Sequence, residues 1–180
     1  MVKTIPEQSV DEIITSGPLQ KVHLYQVNEA YWELDDTDLW IIDGAIEMHF
    51  PSGTLTIGWS TDYDMFITTD RGTAKLLGEL DHKELQQGKI SKIHKLAGKT
   101  VQDLQCKWVP FEVWDDEADD FVEQTTLVEL LLTFNSKEKV QIATVDYQID
   151  EEEHPFGFRY DLMSEMIIVL QHPIPIEPLA

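Results

Sequence analysis

Two stretches of this chain carry one pattern of strand and turn. Ile46 to Trp59 reads I-E-M-H-F-P-S-G-T-L-T-I-G-W, and Leu130 to Ala143 reads L-L-L-T-F-N-S-K-E-K-V-Q-I-A. Met48-x-Phe50-x-Ser52 matches Leu132-x-Phe134-x-Ser136, and an extra residue in the second turn then aligns Leu55 and Ile57 with Val140 and Ile142. Apolar residues alternate on both arms of each copy, which is the period of a strand buried on one face. Each copy therefore predicts a β-hairpin. Pro51-Ser52-Gly53 can close the first because glycine takes positive φ freely. Asn135-Ser136-Lys137-Glu138 can close the second because Asn bonds its own backbone.

The flanking features recur in the same order. Tyr31-Trp32, the acidic turn Asp35-Asp36-Thr37-Asp38 and the strand Leu39 to Ile42 precede the first hairpin. Trp108 to Trp114, the acidic turn Asp115 to Asp120 and a further strand precede the second. Between the halves, Gly72, Gly78, Gly88 and Gly98 interrupt short segments. Each would cost a helix interior about 1 kcal/mol relative to Ala, so residues 70–99 predict short helices and loops. Pro6 to Ser16 predicts one more helix, with Val10, Ile13 and Ile14 at helical spacing behind a Ser9 cap and Gly17-Pro18 as the stop. Asp150-Glu151-Glu152-Glu153 and the residues to Phe158 read as a long exposed loop, and Met166 to Leu170 as a closing strand. Pro173, Pro175 and Pro178 keep the tail extended and out of any sheet interior.

The expected fold is thus α+β, mainly antiparallel β-sheet built from two similar β-rich repeats with a few short helices. Residues 1–69 form the first repeat with its N-terminal helix, 70–99 the connector, and 100–180 the second repeat, all in one compact unit.

Charge narrows the function classes. The chain has 34 acidic and 13 basic residues, a formal net charge of -21. Such a surface repels nucleic-acid backbones and anionic membranes and attracts basic proteins. Cys106 is the single cysteine, so an intrachain disulfide and a zinc site of several cysteines are excluded. The first residues lack the apolar core of a signal peptide, and the longest aliphatic run, Met166 to Leu170, is too short to cross a bilayer. The expected location is the cytoplasm.

Motifs for chemistry are sparse. Ala97-Gly98-Lys99-Thr100 resembles the end of a phosphate-binding loop, but the required upstream glycine is Ile93, and a plain turn is expected. Glu47 and His49 share a strand face, as do Asp62 and Asp64, yet neither pair supplies the three protein ligands of a catalytic zinc. Asp115 to Asp120 lacks the glycine and the distal glutamate of a calcium loop. Cys106 alternates with Leu104 and Trp108, the pattern of a buried structural thiol. No catalytic residue, metal or cofactor is assigned.

What remains is acid beside aromatic. Trp32 adjoins Asp35, Asp36 and Asp38; Trp114 adjoins Asp115, Asp116, Glu117, Asp119 and Asp120; Asp150, Glu151, Glu152 and Glu153 form a third cluster. Carboxylates give on-rate and selectivity toward a basic protein, and aromatic anchors give affinity. These residues are the expected contact surface of a non-catalytic protein-binding module. Its most concrete form is an immunity-type inhibitor of a basic toxin, such as a nuclease, in the bacterial cytosol, with the oligomeric state left open. A small carboxylate- or metal-dependent hydrolase would instead need Glu47, His49, Asp62 or Asp146 to converge in a deep pocket. A small-ligand-binding regulatory domain would need an apolar cavity between the repeats.

Overall fold

Both hairpins form, and both contribute to one buried cluster. In the computed structural model, β4 (Gly44–Phe50) and β5 (Gly53–Ser60) pair Ile46 with Ile57 and Met48 with Leu55. β9 (Asp120–Phe134) and β10 (Lys139–Ile149) pair Leu130 with Ile142 and Leu132 with Val140. Residues aligned in the sequence therefore occupy equivalent rungs. With Phe50 and Phe134 they are at most 3% exposed and lie in one hydrophobic cluster. Side chains buried this fully contribute about 1.5–3 kcal/mol each, so a one-residue slip, which would turn an arm inside out, is strongly disfavoured.

Residues 3–27, 32–33, 38–63, 65–85 and 91–178 are described, with Trp32, Glu33 and Ser91 as backbone only. The remaining strands extend each hairpin into a sheet. β1 (Lys21–Gln26), β6 (Met65–Thr69) and the short β7 (Lys83–Glu84) complete one sheet in the order β6-β5-β4-β1-β7. β2 (Trp32–Glu33), β3 (Leu39–Ile42), β8 (Val101–Asp115) and β12 (Glu165–Leu170) complete the other, β2-β3-β12-β10-β9-β8, and β11 (Pro155–Tyr160) pairs with β10. All of these strand pairings are antiparallel. The sheets pack face to face, and their shared core draws on both halves of the chain. β2 and β3, from the first half, join the sheet otherwise built from the second.

Three short helices close the periphery. α1 (Glu7–Ile14) inserts Val10 and Ile14 into the core, with Pro6 at its N-cap position and Ser9 inside the helix instead of capping it. α2 (Thr73–Leu77) packs Leu76 on Ala45 and Ile67 over the outer face of the first sheet. α3 (Ser91–His94) and the turn after it supply Ile93 and Leu96. The outer face of the second sheet is covered by the tail through Ile174 and Ile176. Gln141 bonds both backbone groups of Ile174, at 2.9 and 3.0 Å. Among the described residues, the tail joins sheet structure through an isolated bridge from Glu177 to Arg159 of β11, and its prolines keep it from pairing further.

The expected loop after Asp150 is instead a tight turn into β11, in which Gln148 pairs with Phe156 and Ile149 with Pro155. Proline disfavours a sheet interior but tolerates the first residue of a strand, which is where Pro155 stands. At Asp43-Gly44 the chain leaves β3 in one sheet and enters β4 in the other. A Cβ on Gly44 would lie 1.9 Å from the Tyr25 carbonyl oxygen on β1, which is backbone and has no room to retreat. Gly44→Ala should therefore lower stability by about 3 kcal/mol or more. A chemical denaturation midpoint equal to that of the parent would show that this crossing is not tightly packed.

Candidate functional site

Strand directions give the sandwich two distinct ends. At one, backbone bonds join Leu19 to Lys99, Gln20 to His49 and Asn135 to Thr100, gathering the two hairpin turns. Lys92, Lys95 and Lys99 lie together there with Glu138. At the other end stand the β8–β9 and β10–β11 turns and the β3–β4 crossing.

The β8–β9 hairpin is the most extended feature. It pairs continuously to Asp115–Asp120, with an irregularity at Lys107/Trp108 opposite Val128. Up to Glu129, β9 also pairs with β10; beyond it, β11 takes that side of β10, so β8 and β9 continue as a two-stranded ribbon. At its tip Asp115 Oδ1 accepts the backbone N–H of Glu117 at 2.9 Å and of Ala118 at 3.2 Å, and Asp120 Oδ1 accepts that of Phe121 at 2.8 Å. Asp119 takes φ 52°, a left-handed conformation that aspartate tolerates better than most residues. The carboxylates of Asp116, Glu117 and Asp119 project into solvent. Directly behind them Trp114 pairs with Phe121, ring centroids 5.2 Å apart and planes at 80°. These rings are 44% and 60% exposed, far above what core aromatics show.

The β10–β11 turn repeats the combination. Asp150 Oδ1 accepts the N–H groups of Glu152 at 2.9 Å and His154 at 2.8 Å, and these bonds hold its carboxyl below the usual range. Glu151, Glu152 and Glu153 are exposed, flanked by Ile149 and Phe156 at 50% and 46% exposure. Every large hydrophobic residue exposed among the described residues, Met163 included, lies at this end. The same end carries a groove of about 660 Å³ lined by Asp43, Trp59, Asp146, Tyr147, Met163 and Glu165 among others. Asp115 also reaches toward the β5–β6 turn: burial, Asp62 and then Asp115 push the Tyr63 hydroxyl up.

Asp38, the described residue of the first half's acidic turn, is not part of this surface. Asp38 sits at the lysine end, where its backbone carbonyl accepts from Leu170 and its carboxylate pairs with Lys92. The span of β10 separates it from Asp150, roughly 30 Å at strand rise. Asp35, Asp36 and the Trp32 side chain lie outside the described residues. The sequence order of aromatic strand and acidic turn thus does not bring Asp38 to Asp115, because β2 and β3 join the opposite sheet from β4 and β5.

The other polar candidates have structural partners. Glu47 accepts the Thr73 N–H at 2.7 Å and holds His49 Nε2 at 2.7 Å. Burial raises its carboxyl, but the Thr73 and His49 bonds outweigh it and hold the group below its ordinary value. Asp146, on the other sheet, binds Arg159 at 2.5 Å. Among the described residues, no three His, Cys, Asp or Glu side chains are placed to hold a metal ion, and no described helix is long and apolar enough to cross a membrane. Gly98, at φ 85°, bonds Leu19 O at 2.7 Å in a turn before β8. The groove residues Trp59, Tyr147, Met163 and Glu165 carried no shared sequence signal, since only the packing of the two sheets assembles them.

Cys106 is half-buried beside Trp108, and burial, helped by Glu7 and Asp11, pushes its thiol up to about 11. Against an ordinary value of 9.0, the native thiol should react with a disulfide reagent at pH 8 about tenfold more slowly than in the denatured chain, the smaller thiolate fraction outweighing its greater nucleophilicity, and the rate should climb with pH to about 11. Equal rates in both states would show an exposed, unperturbed thiol. Comparison with family models, curated proteins and solved structures gives no significant match.

Proposed function

We propose that this chain is a non-catalytic module that binds a basic protein, most concretely an immunity-type inhibitor neutralising a basic toxin, such as a nuclease, in the bacterial cytosol. The observation that carries this reading is the exposed Trp114–Phe121 pair, raised on a two-stranded ribbon beside the carboxylates of Asp115 to Asp120. Leaving two large aromatics in water is unfavourable for an isolated chain, and exposed apolar patches rimmed by polar groups mark protein contacts. Aromatics supply the buried centre of such an interface, and the acidic rim steers the partner to it. The β10–β11 turn, with Ile149 and Phe156 beside Glu151 to Glu153, would extend the contact. Asp38, held by Lys92 at the far end, is left out of it.

The same reading takes the scaffold as a duplication, 1–69 and 100–180 joined by 70–99. It is supported by the matched hairpin registers and by the antiparallel order β6-β5-β4-β1 in one sheet against β12-β10-β9-β8 in the other.

With the basic partner captured from the source cell and purified, Trp114→Ala and Phe121→Ala should each weaken binding by about 30-fold or more while leaving thermal unfolding near that of the parent. Asn at Asp115, Asp116, Asp119 and Asp120 together should slow association about tenfold at low salt and flatten its salt dependence. Tip variants that bind with parental affinity and parental salt dependence would end the proposal for this surface.

A further inference from the structure

We propose that the open face of the β8–β9 ribbon docks one extended segment of the basic partner, an apolar side chain flanked two residues away on each side by lysine or arginine. This step rests on the protein-binding reading above. Side chains of directly paired residues share a face, and alternate residues along each strand return to it. Trp114 pairs with Phe121, Glu112 with Glu123 and Pro110 with Thr125, so these residues stand on one face, and all of them are exposed. Phe111, Val113, Val122 and Gln124 stand on the other face and are buried or half-buried. One face of the ribbon is therefore covered by the body of the protein, and the opposite face is open.

The open face has a fixed order of chemistry. Glu112 and Glu123 lie directly opposite each other, a placement that sets Cβ atoms about 5 Å apart. Like charges so placed weaken a strand pair, and no described lysine or arginine pairs with either carboxylate. Two residues along, about 7 Å at strand rise, come the Trp114 and Phe121 rings. Beyond them stand the exposed carboxylates of Asp116, Glu117 and Asp119. Asp115 and Asp120 fall on the other face by alternation and spend their carboxylates on backbone N–H groups of the turn. Acid, aromatic and acid in steps of about 7 Å are complemented by base, apolar and base at alternate positions of an extended chain. The segment is short because the face is bounded. Past Thr125 it meets Ile5 to Glu7 across a hollow that Trp108 and Glu123 also line, and at the other end the chain turns. Among the described residues β8 is the last strand of its sheet, so its outer edge offers backbone groups that an extended chain can use and a helix cannot.

The test is an NMR titration of the full chain with the peptide acetyl-Lys-Ser-Leu-Ser-Lys-amide at constant ionic strength, read at the Trp114 indole N–H and the amides of residues 111–123. Two peptides of the same charge serve as comparisons, one with glycine in place of the leucine and one reordered as Leu-Ser-Ser-Lys-Lys. The expected result is a saturable shift, with half-saturation about threefold higher or more for either comparison peptide. Glu112→Gln together with Glu123→Gln should raise the half-point about threefold or more. Glu79→Gln together with Asp81→Asn removes the same charge from another exposed site and should leave it unchanged. Equal half-points for the three peptides, equal effects of the two double variants, or shifts centred on residues 147–156 would overturn the assignment. Tighter binding of a longer peptide with the same three side chains four residues apart would also overturn it, in favour of a helical occupant. With the captured partner, affinity lost in Trp114→Ala but parental in the Glu112→Gln, Glu123→Gln chain removes this docking face and leaves the protein-binding reading intact. Parental affinity in Trp114→Ala and in Phe121→Ala removes both.

Discussion

The structure depends on one core shared by the two sheets. Ile46, Met48, Leu55 and Ile57 from one sheet and Leu130, Leu132, Val140 and Ile142 from the other are buried in a single cluster, with Phe50 and Phe134 among them. The alternation that buries these side chains fixes the register of every strand laid alongside, because the period of two allows no intermediate slip. α1 and α3 then close the sandwich with a few aliphatic residues each. A scaffold held at its centre leaves both ends free of structural duty. The acidic chemistry is concentrated at one of them.

The charge is polarised as well as large. Lys92, Lys95, Lys99, Lys137 and Lys139 stand at the end with the hairpin turns, while the carboxylates of Asp115 to Asp120 and Asp150 to Glu153 crowd the other. Placing like charges together raises the energy of the isolated protein, and a positively charged partner would relieve that repulsion. The exposed aromatics lie within the repulsive zone, which fits the proposed division of labour: the field orients a basic partner and the rings hold it. Asp150 and Asp115 also show that a few of these carboxylates shape their own turns by accepting backbone N–H groups, so the clusters serve conformation as well as charge.

The parts of the fold that were legible in the sequence are those set by short-range pattern. Alternation gave both hairpins, helical spacing gave Val10 and Ile14, and the glycines between residues 70 and 99 gave short helices in place of a long one; the turn chemistry was read less well, since Gly53 is already in β5 without positive φ and Lys137 takes φ 72° in the second turn. Sheet assignment was not legible, because alternation says which face of a strand is buried and not against which neighbour. That is why Leu39 to Ile42 read as a strand while its crossing to the second sheet, which carries Asp38 away from Asp115, did not. Of the candidate surface, the acidic turns and Trp114 could be read from the sequence, but Phe121, Ile149, Phe156 and Met163 could not: a hydrophobic residue in an alternating run is expected inside unless the strand is known to leave the core. Proline at 155 suggested a loop where a strand begins, since an edge position relieves its missing N–H.

The most direct measurement is amide hydrogen exchange of the full chain with and without its captured basic partner. The account predicts protection confined to residues 113–122 and 147–156, with exchange at residues 92–99 and 135–139 unchanged. Protection at the lysine end with none at the ribbon tip would contradict it.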